Sequence, residues 1–503
     1  MTETSARSNS EADDPSPWWR ELSGSHWWIL IVAILGWLFD AMDQRLFILA
    51  RTPAVRDLLP NLSPERVPTY AGWTTTIFIA GWATGGLVFG LVGDRWGRVR
   101  TMSLTILMYS VFTGLSGLAQ GWWDFAIYRF FAGMGIGGEY AAGVALVAES
   151  MPARARSYAL GIVQAFSSVG AIVGSALSLA IGPQTPIGQA AGWRVLFLFG
   201  VIPSLLVVFI RMRIKEPDRW LRLQSKTAIE TPELPDERAT DQAPITSTGI
   251  RPGDLRAIFS NPRLRKCTLF GLTLAMVGQI GLWSIGLFTP ELVRSSLLDQ
   301  RRIALEARLG PIPPHGLDLN KLSLTATSNP EEAKALADSW RSEDDSYVGQ
   351  GTLLQDVGSF FGALFCTSIA VRFGRRPAFA LAYLMALGSV YLTFGFMEKA
   401  SDVYWMLPIL GFCTCAIFGA LVVYLPELFP TALRTTGTGF CNNIARFITA
   451  TGPLVLGKLT LVFSGLGYST PIRPAALTLA TIYVFGLFVV WFMPETKGHP
   501  FPE

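Results

Sequence analysis

The stretch Gly90-Leu-Val-Gly-Asp94-Arg95-Trp-Gly97-Arg98-Val-Arg100 separates two apolar runs, roughly 72–92 and 101–119, each long enough to cross a bilayer as a helix. Its charged side chains cannot sit in hydrocarbon, and glycines at 86, 90 and 97 allow close backbone approach. The stretch therefore predicts a tight turn at a membrane surface. A second copy stands at Arg372-Phe-Gly374-Arg375-Arg376, 277 residues on. Glu149-Ser-Met-Pro152, followed by Arg156, recurs as Glu427-Leu-Phe-Pro430, followed by Arg434, at an offset of 278. Two pairs of motifs at offsets of 277 and 278 mark an internal duplication.

The 503 residues are 50% hydrophobic and 16% charged, with a mean hydropathy of +0.38. So few charges over so much apolar length exclude a water-soluble globule and indicate a polytopic membrane protein. The formal charge of +4 follows from where Lys and Arg flank the membrane, so no nucleic-acid partner is expected. The cysteines at 267, 366, 413, 415 and 441 lie in apolar runs without zinc-ligand spacing. The first residues lack a basic segment followed by a short apolar one, so no cleaved signal peptide is expected.

Apolar runs predict twelve spans, at about 27–49, 72–92, 101–119, 123–147, 157–181, 192–211, 266–289, 350–371, 377–396, 402–424, 435–460 and 474–493. The expected organisation is a tail (about 1–26), a six-helix bundle (27–211), a linker (212–265), a second bundle (266–493) and a tail (494–503). Arginines concentrate in alternate short loops, which places those loops and both termini in the cytoplasm by the positive-inside rule. The second bundle carries an extracytoplasmic insertion, about 291–348, read as a solvated loop that includes His315.

Twelve spans in two similar halves, the GxxxDRxGR turn and the paired ExxPxxxR segments together resemble the major facilitator superfamily. The resemblance implies an all-α membrane fold, two pseudo-symmetric bundles that rock about a central site, and a functional monomer. Asp40-Ala-Met-Asp43, the segment from Arg129 through Gly133, Gly135, Gly137 and Gly138 to Glu139, and Arg446 resemble the superfamily's proton-coupled symporters of organic, aromatic and sialic acids. Ala41 and Gln44-Arg45 depart from that pattern. Similarity to sugar porters is confined to segments such as Pro494-Glu-Thr-Lys-Gly498, and the seventh span lacks their paired glutamines.

Ionisable groups within spans are costly and point to function. Motifs in both halves serve the shared scaffold, whereas Arg446, Asp356 and Glu139 align with Ser168, Ile79 and Ile417 and are specialised. Asp40 and Asp43 share a helix face, and two close carboxylates in a dry cavity favour holding a proton. With Glu139, Arg129 and Asp356 they are the candidate proton-coupling groups; pairing that only fixes the helices is the alternative for each. Arg446, flanked by Asn442 and Asn443 on one face, suits a substrate carboxylate, or else is neutralised by Asp356. Gln164, Gln279 and Tyr424 are polar positions that would line the cavity or bond neighbouring helices. Arg45 is expected to face away and reach the interface. Asp94, Arg95, Arg98, Glu149, Arg156, Arg372, Glu427 and Arg434 form the expected cytoplasmic gate.

The three histidines lie outside the spans or at their ends, and neither a phosphate-binding loop nor HExxH occurs. The expectation is a transporter, not an enzyme, that imports a small organic anion by proton symport without a cofactor. The alternatives are proton-driven efflux of a drug or metabolite, and a non-transporting sensor built on the insertion.

Overall fold

The computed structural model describes residues 17–502 apart from 64–65, 183–185, 188–189, 206–209, 211–212, 223–251, 311–318, 328, 469 and 500–501. Most of the expected linker, the first sixteen residues and His315 therefore lie outside the described residues. The first bundle comprises α1 (Gly24–Leu58), α2 (Val67–Trp96), α3 (Arg98–Gly117), α4 (Trp122–Ser150), α5 (Ala153–Ile181) and α6 (Gly192–Phe199). The second comprises α7 (Pro262–Gln279), α8 (Thr289–Leu309), α9 (Leu319–Ala326), α10 (Pro330–Phe373), α11 (Arg375–Phe396), α12 (Val403–Glu427), α13 (Arg434–Thr449), α14 (Gly452–Gly465), α15 (Ile472–Ala480) and α16 (Ile482–Phe492). The architecture is all-α, twelve spans in two six-helix bundles; the described strands are a two-residue antiparallel pair, Pro186–Ile187 with Ala190–Ala191. Among the described residues, eight helices are long and apolar enough to cross a membrane by length and composition alone. Other expected spans are interrupted. The seventh passes from α7 through a π-turn, Ile280–Ile285, into α8. The eleventh breaks between α13 and α14, and the twelfth, Ile472–Phe492, is one of the eight and departs from α-helix only at Thr481.

Small residues set the helix contacts inside each bundle, and they do so twice. A Cβ on Gly81 or Gly85 of α2 would lie 2.0 Å from the carbonyl oxygen of Phe130 or Met134 in α4. At the duplicated positions, a Cβ on Gly358 or Gly362 of α10 would meet the carbonyls of Pro408 and Phe412 at the same distance. Backbones in direct contact require glycine, and membrane helices associate through such faces because lipid supplies no hydrophobic drive between them. Each bundle has its own apolar core, around Phe47, Ile106 and Phe125 in the first and Phe379, Tyr383 and Phe394 in the second.

The charged turns explain themselves at atomic level. α2 ends at Gly97 (φ 114°) and α10 at Gly374 (φ 109°), a left-handed conformation that favours glycine. The next arginine folds back: Arg98 Nη1 donates to the Gly93 carbonyl at 2.9 Å, and Arg375 Nη1 to that of Ala370 at 2.8 Å. Each caps the helix it has just left. Each also grips the acid ending a neighbouring helix, Arg98 to Glu149 at 3.0 Å and Arg375 to Glu427 at 2.5 Å.

A second carboxylate closes each turn from beyond the bundle. Glu216 accepts the N–H groups of Val99 and Arg100, both at 3.1 Å. Glu495 accepts those of Arg375 at 2.9 Å and Arg376 at 3.0 Å. Both thus occupy a helix N-terminus, where the backbone dipole favours an anion. Burial alone pushes the Glu495 carboxyl up, but backbone N–H groups of Arg375, Arg376, Lys497 and Thr496 outweigh it and hold the group below the usual glutamate range. A depressed acid stabilises the fold above its unfolded value, about 4.3, and loses that contribution as pH falls through the folded value. Glu495→Gln is therefore expected to lower the apparent Tm at pH 7, with the gap to the unmodified protein closing below about pH 4. A gap of equal size at both pH values, read by intrinsic fluorescence, contradicts this.

Two expectations are corrected here. The described part of the insertion at 291–348 is largely helical and not a loop: α8 continues the seventh span, α9 follows, and α10 begins at Pro330, twenty residues before the expected span. Its polar sequence is carried by ion pairs, Arg302 with Glu306 along α8 at 2.9 Å, and Arg301 of α8 with Glu343 at 3.0 Å and Asp344 at 2.7 Å in α10. Arg45 does not turn outward either. Its Nη2 lies 2.5 Å from Asp356 Oδ2, an ion pair between α1 and α10 that joins the two bundles.

Candidate functional site

The face carrying the charged turns is closed by contacts between bundles. Asp94 at the end of α2 accepts the N–H groups of Thr435 (3.2 Å) and Thr436 (2.8 Å) and the Thr436 hydroxyl (2.6 Å) at the start of α13. Glu149 Oε1 accepts from both Arg98 of its own bundle and Arg434 of the other, each at 3.0 Å, with all three side chains fully buried. Arg98 also donates to the Thr431 carbonyl at 2.7 Å, and Arg375 to Ser157 Oγ at 3.2 Å. The ion pairs run through Arg98 and Arg375 rather than Arg95 and Arg372, because only the arginine after the glycine can reach back. Arg95 instead donates to the carbonyls of Pro252 and Gly253. Arg372 is exposed and takes part through its carbonyl, which accepts from Lys497 at 2.6 Å. Arg156 is buried and donates to the Met151 carbonyl at 3.4 Å.

Away from this face lies a cleft of about 590 Å³, counting the part open to the outside, between α1, α2 and α13. Phe47, Phe78, Ile79 and Trp82 make its walls apolar, and Arg446 and Arg51 bring positive charge to it. Arg446 is held flat: its guanidinium carbon sits 3.4 Å from the centre of the Trp82 ring, and its Nε donates to Gln279 Oε1 at 3.4 Å. Gln279 is oriented in turn by donating to Asn442 Oδ1 at 3.0 Å. Arg446 and Asp40 attract each other electrostatically.

Behind Arg446, α1 and α4 gather acidic groups. Asp40 accepts from Gln44, one turn along α1, at 3.1 Å. Glu139 lies against Gly36 so closely that a Cβ there would be 2.1 Å from Oε1. Among the described residues neither oxygen of Glu139 has a hydrogen-bond partner, and neither does Asp43 Oδ1. Asp43 Oδ2 faces Arg129 Nη1 at 3.5 Å. Arg129 also donates to Ser116 Oγ at 2.9 Å and lies over the Phe197 ring at 4.7 Å, so one guanidinium ties α1, α3, α4 and α6 together.

The remaining expected residues separate from this group. Asn443 donates to the Gly439 carbonyl at 2.8 Å and presses on Gly86 of α2. Gln164 makes a local 3.4 Å bond to Ser167. Tyr424 donates to the Pro494 carbonyl at 3.0 Å, at the face with the charged turns. Asp356 pairs with Arg45 and not with Arg446. Reading the sequence missed Trp82 and Arg51. An aromatic seven residues from Thr75 carries no signal of its own, and an arginine near a helix end reads as an interfacial anchor.

Comparison with known proteins is consistent over nearly the whole chain. A family model described as Major Facilitator Superfamily matches residues 58–298. A putative metabolite transport protein of Haemophilus influenzae is 28% identical over 94% of this chain and 97% of its own. The cis,cis-muconate transport protein of Acinetobacter baylyi is 27% identical over 96% of this chain and 98% of its own. The solved proton:xylose symporter XylE from E. coli shares the fold, with a TM-score of 0.61 and 18% identity over 95% of this chain and 97% of that one.

Proposed function

We propose, on the premise that this chain belongs to the major facilitator superfamily and is one of its membrane transporters, that it imports a small organic anion by proton symport with alternating access. The observation that carries the reading is Arg446, flat on Trp82 in an apolar cleft with its Nε oriented by Gln279. A guanidinium meets a carboxylate through two parallel hydrogen bonds, and exclusion of water strengthens them. Charge balance supplies the coupling. Asp40, Asp43 and Glu139 stand against Arg129 and Arg446, so a carboxylate arriving at Arg446 competes with Asp40 for the same positive charge. A proton on the carboxyls of Asp40 and Glu139 restores the balance. At Glu139 the proton displaces no existing hydrogen bond. Relatives named for cis,cis-muconate and sialic acid transport support an organic acid as cargo.

In this reading the face with the charged turns is cytoplasmic and closed, and the cleft admits substrate from outside. The protein works as a monomer in the plasma membrane with both termini in the cytoplasm. A proton moving through 100 mV gains about 2.3 kcal/mol, which replaces any cofactor as the source of energy.

The test is proton movement in proteoliposomes of verified orientation. An internal pH dye is followed as benzoate, sialate and small aliphatic acids are added outside, with protein-free vesicles and Asp40→Asn alongside. Acidification beyond the protein-free control by at least one acid, lost in Asp40→Asn, is expected. No excess acidification by any acid overturns symport, and alkalinisation assigns antiport instead.

A further inference from the structure

We infer that Arg51 and Arg446 are the two ends of one binding site, and that the preferred substrate carries two carboxylates on an apolar spacer. The inference rests on reading Arg446 as an anion site and extends it along the cleft. Both arginines line the same cleft, and no acidic side chain is among its described lining residues. Arg51 Nη1 donates to Thr75 Oγ1 at 2.7 Å, whereas Arg446 stacks on Trp82. Thr75 and Trp82 both belong to α2 and are two turns apart, roughly 10 Å along the helix axis, so the two guanidiniums sit at different levels of the cleft. Between them the wall is Phe47, Phe78 and Ile79.

Each feature of this layout selects against a simple monoacid. A single carboxylate satisfies Arg446 and leaves Arg51 at the mouth with a short bond to Thr75, its single hydrogen bond among the described residues, out of five N–H donors. Glu291, on α8, is the acid electrostatically coupled to Arg51. It is exposed, so its hold on the guanidinium is screened by water and yields to a desolvated carboxylate. A charge-assisted hydrogen bond takes up about 3 Å at either end of the cleft. The wall between the two ends suits an apolar spacer, which the aromatic side chains can face.

Matched acids separate this from the anion reading alone. Thermal-shift titrations of the purified full-length protein compare benzoate with terephthalate and hexanoate with adipate. Each diacid is expected to bind about tenfold or more tightly than its monoacid, the contribution of one charge-assisted bond. In Arg51→Gln terephthalate should weaken at least about tenfold more than benzoate, and Arg51→Lys should fall between. Equal affinity for monoacids and diacids in the unmodified protein overturns the two-ended site while leaving Arg446 as an anion site. A preference for diacids that survives Arg51→Gln also overturns it. Binding of none of the four acids by folded protein overturns the anion reading itself, and the inference with it.

Discussion

Arg446→Lys is expected to lower uptake by roughly a hundredfold although the positive charge is kept, because one or two charge-assisted bonds at about 1.5–3 kcal/mol are lost. If the residue only neutralised Asp40, a lysine ammonium at the same depth would serve almost as well. The geometry says otherwise. The guanidinium plane lies on the Trp82 face, 3.4 Å from its centre, and Nε donates to Gln279 at 3.4 Å. One face and one edge are thereby fixed, which sets the orientation of the planar group. A lysine presents a point charge on a flexible stem, cannot stack in this way, and grips a carboxylate without defining its orientation. Alternating access multiplies the effect, since a substrate held in many orientations stabilises the closed form less than one held in a single orientation. Uptake per reconstituted molecule, together with the apparent Tm, decides the matter. A variant with near-normal Tm and uptake within about threefold of normal would reduce Arg446 to a counter-ion.

How far the sequence predicts this site depends on whether a feature is repeated. The charged turns are legible because Gly97 and Gly374, Glu149 and Glu427, and Arg156 and Arg434 recur at offsets of 277 or 278. Apolar runs of about 20 residues predict the twelve spans, and the repetition divides them into two bundles. It did not say which arginine of the turn works: Arg95 and Arg98 look alike in a string, and only the left-handed glycine sends Arg98 back onto the carbonyls of α2. Pairings between bundles were harder still. Arg45 with Asp356 joins positions 311 apart in the chain, and no local pattern encodes which face of α1 meets α10. The helices of the insertion were hidden by polarity. A stretch rich in Arg, Glu and Asp resembles a loop until Arg301 is seen to bind Glu343 and Asp344 of the facing helix. Asp40, Glu139 and Arg446 were legible for the opposite reason, since a charge within an apolar run stands out without any repeat. Arg51, at the end of a long span, had no such contrast.

The closed face makes the second large prediction. Asp94→Asn is expected to move the resting population toward a form open on that face and to abolish accumulation of substrate. Asp94 accepts three hydrogen bonds from the start of α13, and these cross from one bundle to the other. Its pair with Arg98, at 3.0 Å, lies within its own bundle and is backed by Glu149. An amide of the same shape keeps one acceptor and loses the charge, so the loss falls mainly on the contact between bundles. Two charge-assisted bonds weakened in a buried site amount to about 3 kcal/mol, which shifts a two-state equilibrium by roughly a hundredfold. Glu149→Gln would be a poorer probe, because it leaves Arg98 and Arg434 buried together without their shared acid, a disruption of about 3–5 kcal/mol that threatens the fold itself. Fluorescent labels at the exposed positions 100 and 372 read the outcome as a distance. Asp94→Asn should lengthen it in most molecules, and Thr436→Val, which removes only the hydroxyl donor, should lengthen it in fewer. A distance unchanged in both variants would mean that other contacts, such as Arg375 with Ser157, suffice to hold this face shut, and that Asp94 is a helix cap without a part in gating.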